Sequence, residues 1–453
     1  MKILLIVYDN GSLVSFFPQG TAYIAAALKK EGHHVEIFHQ DVAHSSCDSI
    51  TAYLDSYSFD IVGLGFVAGY YQYRVCSEIA NAVNASKNRD GFRFVLGGHG
   101  PAAAPEYFLD KFGADGVIIG EGEYFTHYPY GRGSQKIMRI SPIKDVDNIP
   151  WPAYDMFPID VYRLIRWPTS TETDFCMPVL SGRGCPYRCN FCYRMNEGDF
   201  RPRSPEAVID EMFWLWQHYR INHFQFSDEL FMSSKKRIID FCVELQSSGK
   251  IQKIKNFKWD CNGRLNFAKE SLLQLMKSTG CEYVNYGVEA MDNEVLKTMH
   301  KGLTVDRITE GVEATLRAGL VPGLNLIWGN IGDTKTTLDK AVKFLKQYDP
   351  CKELRTIRPV TPYPGSELFD IAVKRGFIKD VADFYENKHV NSDLLTVNFT
   401  DLPYDKFHNE LYLANEVLIS NYYDKNWRRS LRQAQRFYRG DIPPDSFRGF
   451  RNV

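Results

Sequence analysis

Along the first 125 residues, short apolar blocks alternate with stretches whose apolar positions recur at helical spacing. Lys2–Val7 is an almost unbroken apolar run, which predicts a buried strand. Thr21–Glu31 repeats Ala and Leu, then places Lys29 and Lys30 in its last turn and Gly32 just beyond, a helix stop. The pattern continues with strands at His34–His39, Ile61–Phe66, Phe92–Leu96 and Gly116–Ile119. Helices fall between them at Asp48–Ser56, Tyr71–Asn84 and near Ala104–Phe112. Strand–helix alternation of this kind predicts a doubly wound parallel sheet over residues 1–125.

Residues 126–175 lose the alternation, and the proline-punctuated Ile149-Pro-Trp-Pro-Ala-Tyr-Asp155 reads as a linker. A second series then predicts strands at Met177–Leu180, His223–Phe226, Lys258–Cys261, Tyr283–Val288, Leu324–Trp328 and Leu354–Val360. Helices are expected near Pro205–Tyr219, Lys235–Ser247, Glu270–Ser278, Asp306–Ala318 and Lys335–Tyr348. Six β/α units over 176–375 fit an open or closed barrel, whose functional loops gather at the strand carboxyl ends. Beyond Arg375 the chain is mainly helical, with an amphipathic helix at Tyr404–Tyr422 and an extended tail at Gly440–Val453.

Composition adds little to this α/β reading but removes some classes. Hydrophobic residues make up 44% and charged residues 24%, as in ordinary globular chains. A net charge of −1 gives no overall electrostatic case for binding nucleic acid. Trp427–Arg439 carries five arginines between aromatics; a solvated face is its default reading, closure of the barrel mouth the alternative. No apolar run approaches the roughly 20 residues of a membrane span. The ten cysteines show no paired spacing, so a cytoplasmic, reducing location is expected rather than a disulfide framework.

The chemistry gathers at strand ends. In the first series Gly63/Gly65, Gly97/Gly98/Gly100 and Gly120/Gly122 stand where a ligand of a doubly wound sheet binds, although glycines there are also ordinary turn formers. No GxGxxG follows the first strand, so a dinucleotide fingerprint is missing. In the second series the first strand runs into Ser181-Gly-Arg-Gly-Cys185-Pro-Tyr-Arg-Cys189-Asn-Phe-Cys192. Three thiolates this close can hold three irons of a cubane cluster and leave the fourth open. A zinc site needs a second CxxC, or recruitment of His223 or a distant cysteine. Asp228 and Glu229, Arg264, Glu289 and Asn330 end the later strands, so polar groups share one rim.

Cys185-Pro-Tyr-Arg-Cys189-Asn-Phe-Cys192 resembles the CxxxCxxC signature of the radical S-adenosylmethionine (SAM) superfamily. That resemblance implies a [4Fe-4S] cluster on Cys185, Cys189 and Cys192, SAM on its open iron, and a 5′-deoxyadenosyl radical made with one electron from a flavodoxin- or ferredoxin-type donor. It further implies that Phe191 lies near the adenine and that Asp228 and Glu229 meet the methionyl ammonium. Arg264 would pair the methionyl carboxylate, and Glu289 would act on the ribose or substrate side; a rim salt bridge is the alternative for each. Tyr286 joins Glu289 as a candidate catalytic residue, with Trp328, Asn330, Arg358 and Tyr363 as pocket candidates.

The domain order, together with Phe17-Pro-Gln-Gly20, Gly97-Gly98-His-Gly-Pro101 and Gly120-Glu-Gly-Glu123, resembles the subgroup with an amino-terminal, flavodoxin-like cobalamin-binding domain. This implies cobalamin against Gly65, Gly97, Gly98, Gly120 and Glu121. There is no Asp-x-His-x-x-Gly, so no histidine would ligate the lower face of cobalt. The loops after the third and fourth strands also lack the hydroxyls that often bond the nucleotide tail. The expected function is cobalamin-dependent C-methylation of a small-molecule intermediate. Alternatives are a non-methylating radical enzyme (cyclase, diol dehydratase or rearrangement) and a non-catalytic corrinoid- or metal-binding protein.

Overall fold

The computed structural model describes residues 1–67, 69–127, 136–195, 200–391 and 394–442. They divide into two compact units. The first comprises Met1–Ile165, Phe175–Leu230 and Thr361–Val397; the second comprises Arg166–Asp174, Phe231–Val360 and Asn398–Val453.

In the first unit, β1 (Lys2–Val7), β2 (His34–His39), β3 (Ile61–Gly65), β4 (Arg93–Gly97), β5 (Gly116–Ile119) and β6 (Ile137–Arg139) form one parallel sheet. Its order is β2-β1-β3-β4-β5-β6, with the direction of winding reversing between β1 and β3. Such a reversal opens a crevice outside the strand carboxyl ends. The helix Gln19–Lys30 buries Ala22, Ala25, Ala26 and Leu28, and the core beneath includes Ile3, Leu5, Ile61, Val95 and Ile118. Gly32 follows at φ 82°, the left-handed turn expected after a helix end.

The expected linker, 126–175, is partly fold. Ile137-Met-Arg139 adds β6 to the sheet edge, and three residues are too short to show a period. Ala153 N–H donates to Ala22 O at 3.0 Å, and the Tyr154 ring stacks on Phe17 at 5.4 Å. Tyr154 donates its hydroxyl to buried Glu211 at 2.6 Å. The Trp-Pro-Ala-Tyr stretch is therefore packed onto the unit.

The same unit holds the start of the second series. β7 (Cys176–Val179) pairs in parallel with β10 (His223–Phe226). Between them runs an unanticipated antiparallel ribbon, β8 (Gly182–Arg183) with β9 (Arg201–Pro202). Ser204 caps the helix Pro205–Tyr219 by accepting from Ala207 N–H at 3.3 Å, with proline at the first helical position. The expected boundaries at 125, 175 and 375 thus differ from the unit division.

In the second unit, β11 (Lys258–Gly263), β12 (Cys281–Glu289), β13 (Val321–Trp328) and β14 (Arg358–Pro359) are successive parallel neighbours. One face of these strands is covered by helices. Trp259 meets Phe241 at 5.7 Å, Tyr286 bonds Thr315, and Trp328 stacks on Phe407 at 4.7 Å. The expected strand Leu354–Val360 contracts to two residues. The expected helix Tyr404–Tyr422 instead runs unbroken for 35 residues, Tyr404–Tyr438, and takes in most of the arginine-rich segment. Phe407, Leu411, Ala414 and Leu418 bury its first half, whereas Tyr423, Trp427 and Leu431 are exposed. The tail expected to be extended lies outside the described residues from 443 onward. Among the described residues, no helix is long and apolar enough to cross a membrane.

Candidate active site

The β8–β9 ribbon closes the base of the loop that carries Cys185, Cys189 and Cys192. Both stems of the loop are gripped electrostatically. Arg183, on β8, pairs with Glu123; Arg201, on β9, pairs with Glu121. A second Arg201 nitrogen reaches Glu121 at 3.0 Å, and Arg183 lies 3.8 Å from the same carboxylate. Both glutamates are buried and follow β5 of the amino-terminal sheet. Burial alone would push the Glu121 carboxyl up; the Arg201 hydrogen bond and the two guanidinium charges outweigh it and hold it below its ordinary value.

Glu121 therefore anchors the cysteine loop, a different placement from the expected corrinoid contact. Gly120, at φ 108°, lies against the Ile140 carbonyl, also away from the cavity described below. Sequence reading missed Arg183 and Arg201; the available signal was an arginine on each flank of the cysteine run.

Asp228, at the end of β10, fixes where the loop begins. It accepts from Ser181 N–H at 2.7 Å and Gly182 N–H at 3.2 Å, and from the Ser181 hydroxyl. It is buried, with both oxygens engaged by the chain, so it positions the loop and does not face outward as an ammonium contact would. Glu229 accepts from Gly184 N–H and stays exposed. Along the loop, Cys185 is half-buried, Cys189 buried and Cys192 exposed, and Phe191 is half-buried. Asn190 O accepts from Leu368 N–H at 2.8 Å, bracing the loop's far side. Among the described residues no three of His, Cys, Asp and Glu are gathered as metal ligands, so the donor set of a three-cysteine cubane rests on the spacing of the cysteines along one loop with a fixed base.

A cavity of about 450 Å³ opens at the carboxyl ends of β1, β3 and β4. Gly65, Gly97 and Gly98 line it. Gly98 sits at φ 89°, where an added Cβ would come within 2.6 Å of the Phe66 carbonyl, so glycine is required. The hydroxyls missing from those two loops are supplied elsewhere, by Ser15, Thr21 and Tyr8. Asp41 also lines the cavity: Oδ2 accepts from Tyr162 at 2.7 Å, while buried Oδ1 has no protein partner. Desolvation pushes its carboxyl up to about 6. An orphaned acceptor on a mostly apolar wall fits a large ligand that brings its own donors, as a corrinoid with amide side chains does. Gln19 joins this wall to the second series: its amide oxygen accepts from Ser227 at 2.6 Å and its nitrogen reaches Pro178 O at 3.4 Å.

In the second unit, Arg264 is buried just after β11 and donates through Nε to Asn266 at 2.7 Å. Glu289 ends β12 at φ 69°, beside a register irregularity, and pairs with buried Lys301 at 3.0 Å. A non-glycine residue in the left-handed region is a strain that clusters at ligand sites. Lys301 was not anticipated; its signal was a Lys-Gly pair just past the short helix Asn293–Thr298.

Tyr286 requires correction. It is fully buried on the helix-covered face and shares a hydrogen bond with Thr315 at 3.1 Å, with burial raising its phenol far above the usual range. A phenol so placed is a packing residue. Trp328 is likewise buried against Phe407, and Asn330 is fully buried in the turn that Asp333 caps at 2.9 Å. Arg358 is exposed on β14, whereas Tyr363 packs in the first unit against Phe384 and His389.

Residues 179–345 match the family model of the Radical SAM superfamily, and residues 13–126 that of the B12 binding domain. The chain is a radical SAM enzyme with a B12-binding domain. Its cofactors are a [4Fe-4S] cluster, SAM and cobalamin. The radical SAM enzyme is 26% identical to an uncharacterised methyltransferase of Pyrococcus horikoshii, over 97% of this chain and 99% of that one. It is also 26% identical to an anaerobic magnesium-protoporphyrin IX monomethyl ester cyclase of Rubrivivax gelatinosus, over 78% and 65% of the respective chains. Among solved structures it shares its fold with the cobalamin-dependent SAM radical enzyme OxsB, at TM-score 0.67 and 17% identity over 90% of this chain and 65% of that one. The radical SAM methyltransferase TsrM from Kitasatospora setae matches at TM-score 0.63 and 17% identity, covering 93% and 89%.

Proposed function

We propose that this radical SAM enzyme methylates an unactivated carbon of a small-molecule intermediate. The observation that carries this reading is the double ion-pair clamp, Glu123–Arg183 and Glu121–Arg201, which fastens the base of the cysteine loop to the cobalamin-type sheet within one unit. When bound, the cluster and SAM supply the adenosyl radical that removes a substrate hydrogen, and cobalamin supplies the methyl group. The likeness to the P. horikoshii methyltransferase over nearly the whole of both chains supports the same reading.

In it, Cys185, Cys189 and Cys192 hold iron, and Asp228 sets the loop on which they stand. Each by its own charge, Glu229 is the candidate for the methionyl ammonium and Arg264 for the methionyl carboxylate, with Glu289 the candidate on the ribose or substrate side. Gly65, Gly97 and Gly98 leave room for the corrinoid, while Asp41 accepts from its amides. The electron comes from a flavodoxin- or ferredoxin-type donor, and the reducing cytoplasm suits the oxygen-sensitive cluster.

Anaerobic reconstitution with SAM and reductant, with and without cobalamin, tests the proposal by mass spectrometry. Methylation consumes two SAM molecules per turnover and releases both 5′-deoxyadenosine and S-adenosylhomocysteine. Cobalamin-dependent appearance of both is the expected result. A protein that retains no corrinoid absorbance overturns it. The similarity to an anaerobic cyclase favours a second reading, oxidative cyclisation, which releases 5′-deoxyadenosine without S-adenosylhomocysteine.

A further inference from the structure

The helix Tyr404–Tyr438 changes character half-way along. Up to Leu418 it is a packing helix, with Phe407, Leu411, Ala414 and Leu418 buried on one face. That face continues, at steps of three and four, through Asn421, Lys425 and Arg429. There it is held by polar anchors: Lys425 donates to Lys346 O and Asp349 O, both at 3.1 Å, and Arg429 to Pro350 O at 3.0 Å. Cations suit that place, because the helix Lys335–Tyr348 ends at those carbonyls.

Tyr423, Trp427 and Leu431 each stand two residues beyond one of these body-facing positions. Two residues are about 200° round an α-helix, so all three point away from the rest of the second unit. With Ala434 and Tyr438 they form one ridge, at spacings of four, four, three and four. Trp427 is 63% exposed and Tyr438 83%. Single exposed apolar side chains are common, but an aromatic ridge running about 22 Å along a helix calls for a cover. Arg428, Arg432 and Arg439 each follow a ridge residue by one position, about 100° round, and line one exposed flank of it. Tyr422–Arg439 holds six basic residues against one acid, Asp424, in a chain whose net charge is −1.

We propose that this ridge docks the enzyme on the anionic surface of a lipid bilayer, with the helix lying in the surface plane. Tyrosine and tryptophan join an apolar body to a polar tip, which suits the headgroup boundary. The flanking arginines sit at the waterline, where their stems follow the apolar edge and their heads reach lipid phosphates. A second copy is a poorer cover, because pairing through Trp427 would bring two basic segments together. A nucleic acid would call for arginines among the aromatics on the ridge itself, not along its flank. The inference is independent of the methyltransferase reading.

Cosedimentation of the reconstituted full chain with vesicles tests it, comparing phosphatidylglycerol mixed into phosphatidylcholine with phosphatidylcholine alone. Saturable binding to the anionic vesicles is expected, weakening as salt is raised, with little binding to the neutral ones. Trp427→Ser, at an exposed position and with its fold checked by circular dichroism, should weaken binding roughly tenfold or more. Arg432→Gln should weaken it about fivefold, the worth of one basic residue near an anionic surface, and on anionic vesicles alone. No saturable binding by the wild type, or equal binding by wild type and Trp427→Ser, overturns the inference. So does a dimer, seen by light scattering, that Trp427→Ser splits while vesicles bind neither protein; the ridge then belongs to a second copy. Retention of a single-stranded RNA oligonucleotide in preference to vesicles, lost in Trp427→Ser, overturns it in favour of nucleic acid. Without vesicles, wild type and Trp427→Ser should release 5′-deoxyadenosine equally. Its loss in the folded variant would set the ridge over the reaction site and overturn the docking role.

Discussion

The cavity of the first unit and the amide row of the second, Asn262, Asn285 and Asn325 on β11, β12 and β13, are built by opposite means. The cavity is a roomy, mostly apolar hollow made by glycines, with one orphaned acceptor, Asp41 Oδ1, on its wall. The amide row has no such vacancy among its oxygens: Asn325 Nδ2 donates to Asn285 Oδ1 at 2.8 Å, and Asn285 Nδ2 to Asn262 Oδ1 at 3.1 Å. A large rigid cofactor is held by shape and apolar contact, with few polar fixings. A row of amides bonded to one another across three strands instead closes on itself and ties those strands in register. The same chain thus places glycine where bulk must enter and asparagine where neighbouring strands are tied together.

The harshest way to break the comparison removes what both regions serve. Cys189→Ala should abolish cluster assembly and 5′-deoxyadenosine formation, measured by iron and sulfide content and by chromatography. Full retention of deoxyadenosine release would place the chemistry elsewhere. Next comes a variant that closes one region alone. Gly97 lines the cavity, has no positive φ, and an added Cβ there meets nothing within 4 Å. Gly97→Leu should therefore fold and fill the cavity. Overpacking of about 1–3 kcal/mol corresponds to roughly five- to 150-fold weaker cobalamin retention. Gel filtration followed by corrinoid absorbance reads it, with iron content as the control.

Lys301→Met strikes the strained end of β12. It leaves Glu289 buried with its ion pair gone, a change that typically costs about 3–5 kcal/mol. The expected result is a lower melting temperature together with a raised KM for SAM, and Lys301→Arg should restore part of both. An unchanged KM in a folded Lys301→Met protein would separate Glu289 from SAM binding.

Asp41 sharpens the contrast from the cavity side through pH. Its carboxyl is raised to about 6 from an ordinary 3.8, because burial disfavours the anion. The folded state therefore holds the proton more tightly than the unfolded one between these values. Asp41 costs stability in full above about pH 6, and the cost fades as pH falls toward 4. About two pH units correspond to on the order of 2–3 kcal/mol. Asp41→Asn should stabilise the cobalamin-free protein at pH 7.5 and by progressively less toward pH 4. Equal melting temperatures for the two proteins at pH 7.5 would show the carboxylate to be solvated there.

Much of this was legible in the chain. The doubly wound sheet declared itself because each strand is a separate apolar block with a helix of clear period after it. The cysteine loop was legible because thiolate spacing is a local property. Glu121 was not, since its partner Arg201 lies eighty residues on. Asp228 was read as an outward anion because its sequence position is right; only the fold shows its oxygens taken by Ser181 and Gly182. The amide row escaped because Asn262, Asn285 and Asn325 are single residues on three strands, joined only by parallel register.

The smallest effect tests the alternation itself. Tyr286 and Asn285 are adjacent on β12, so one must face the helices and the other the open face. The hydroxyl of Tyr286 meets Thr315 and is fully buried, which fixes the assignment. Tyr286→Phe removes one buried hydrogen bond and nothing else, because Thr315 also donates to Gly311 O at 2.7 Å and keeps a partner. The cost should be about 1 kcal/mol, near the value of a typical intramolecular hydrogen bond. Deoxyadenosine formation should be that of the wild type once both proteins are folded. A large loss of turnover with little change in melting temperature would mean that the phenol reaches the reacting atoms, and would reverse the assignment of both faces of β12.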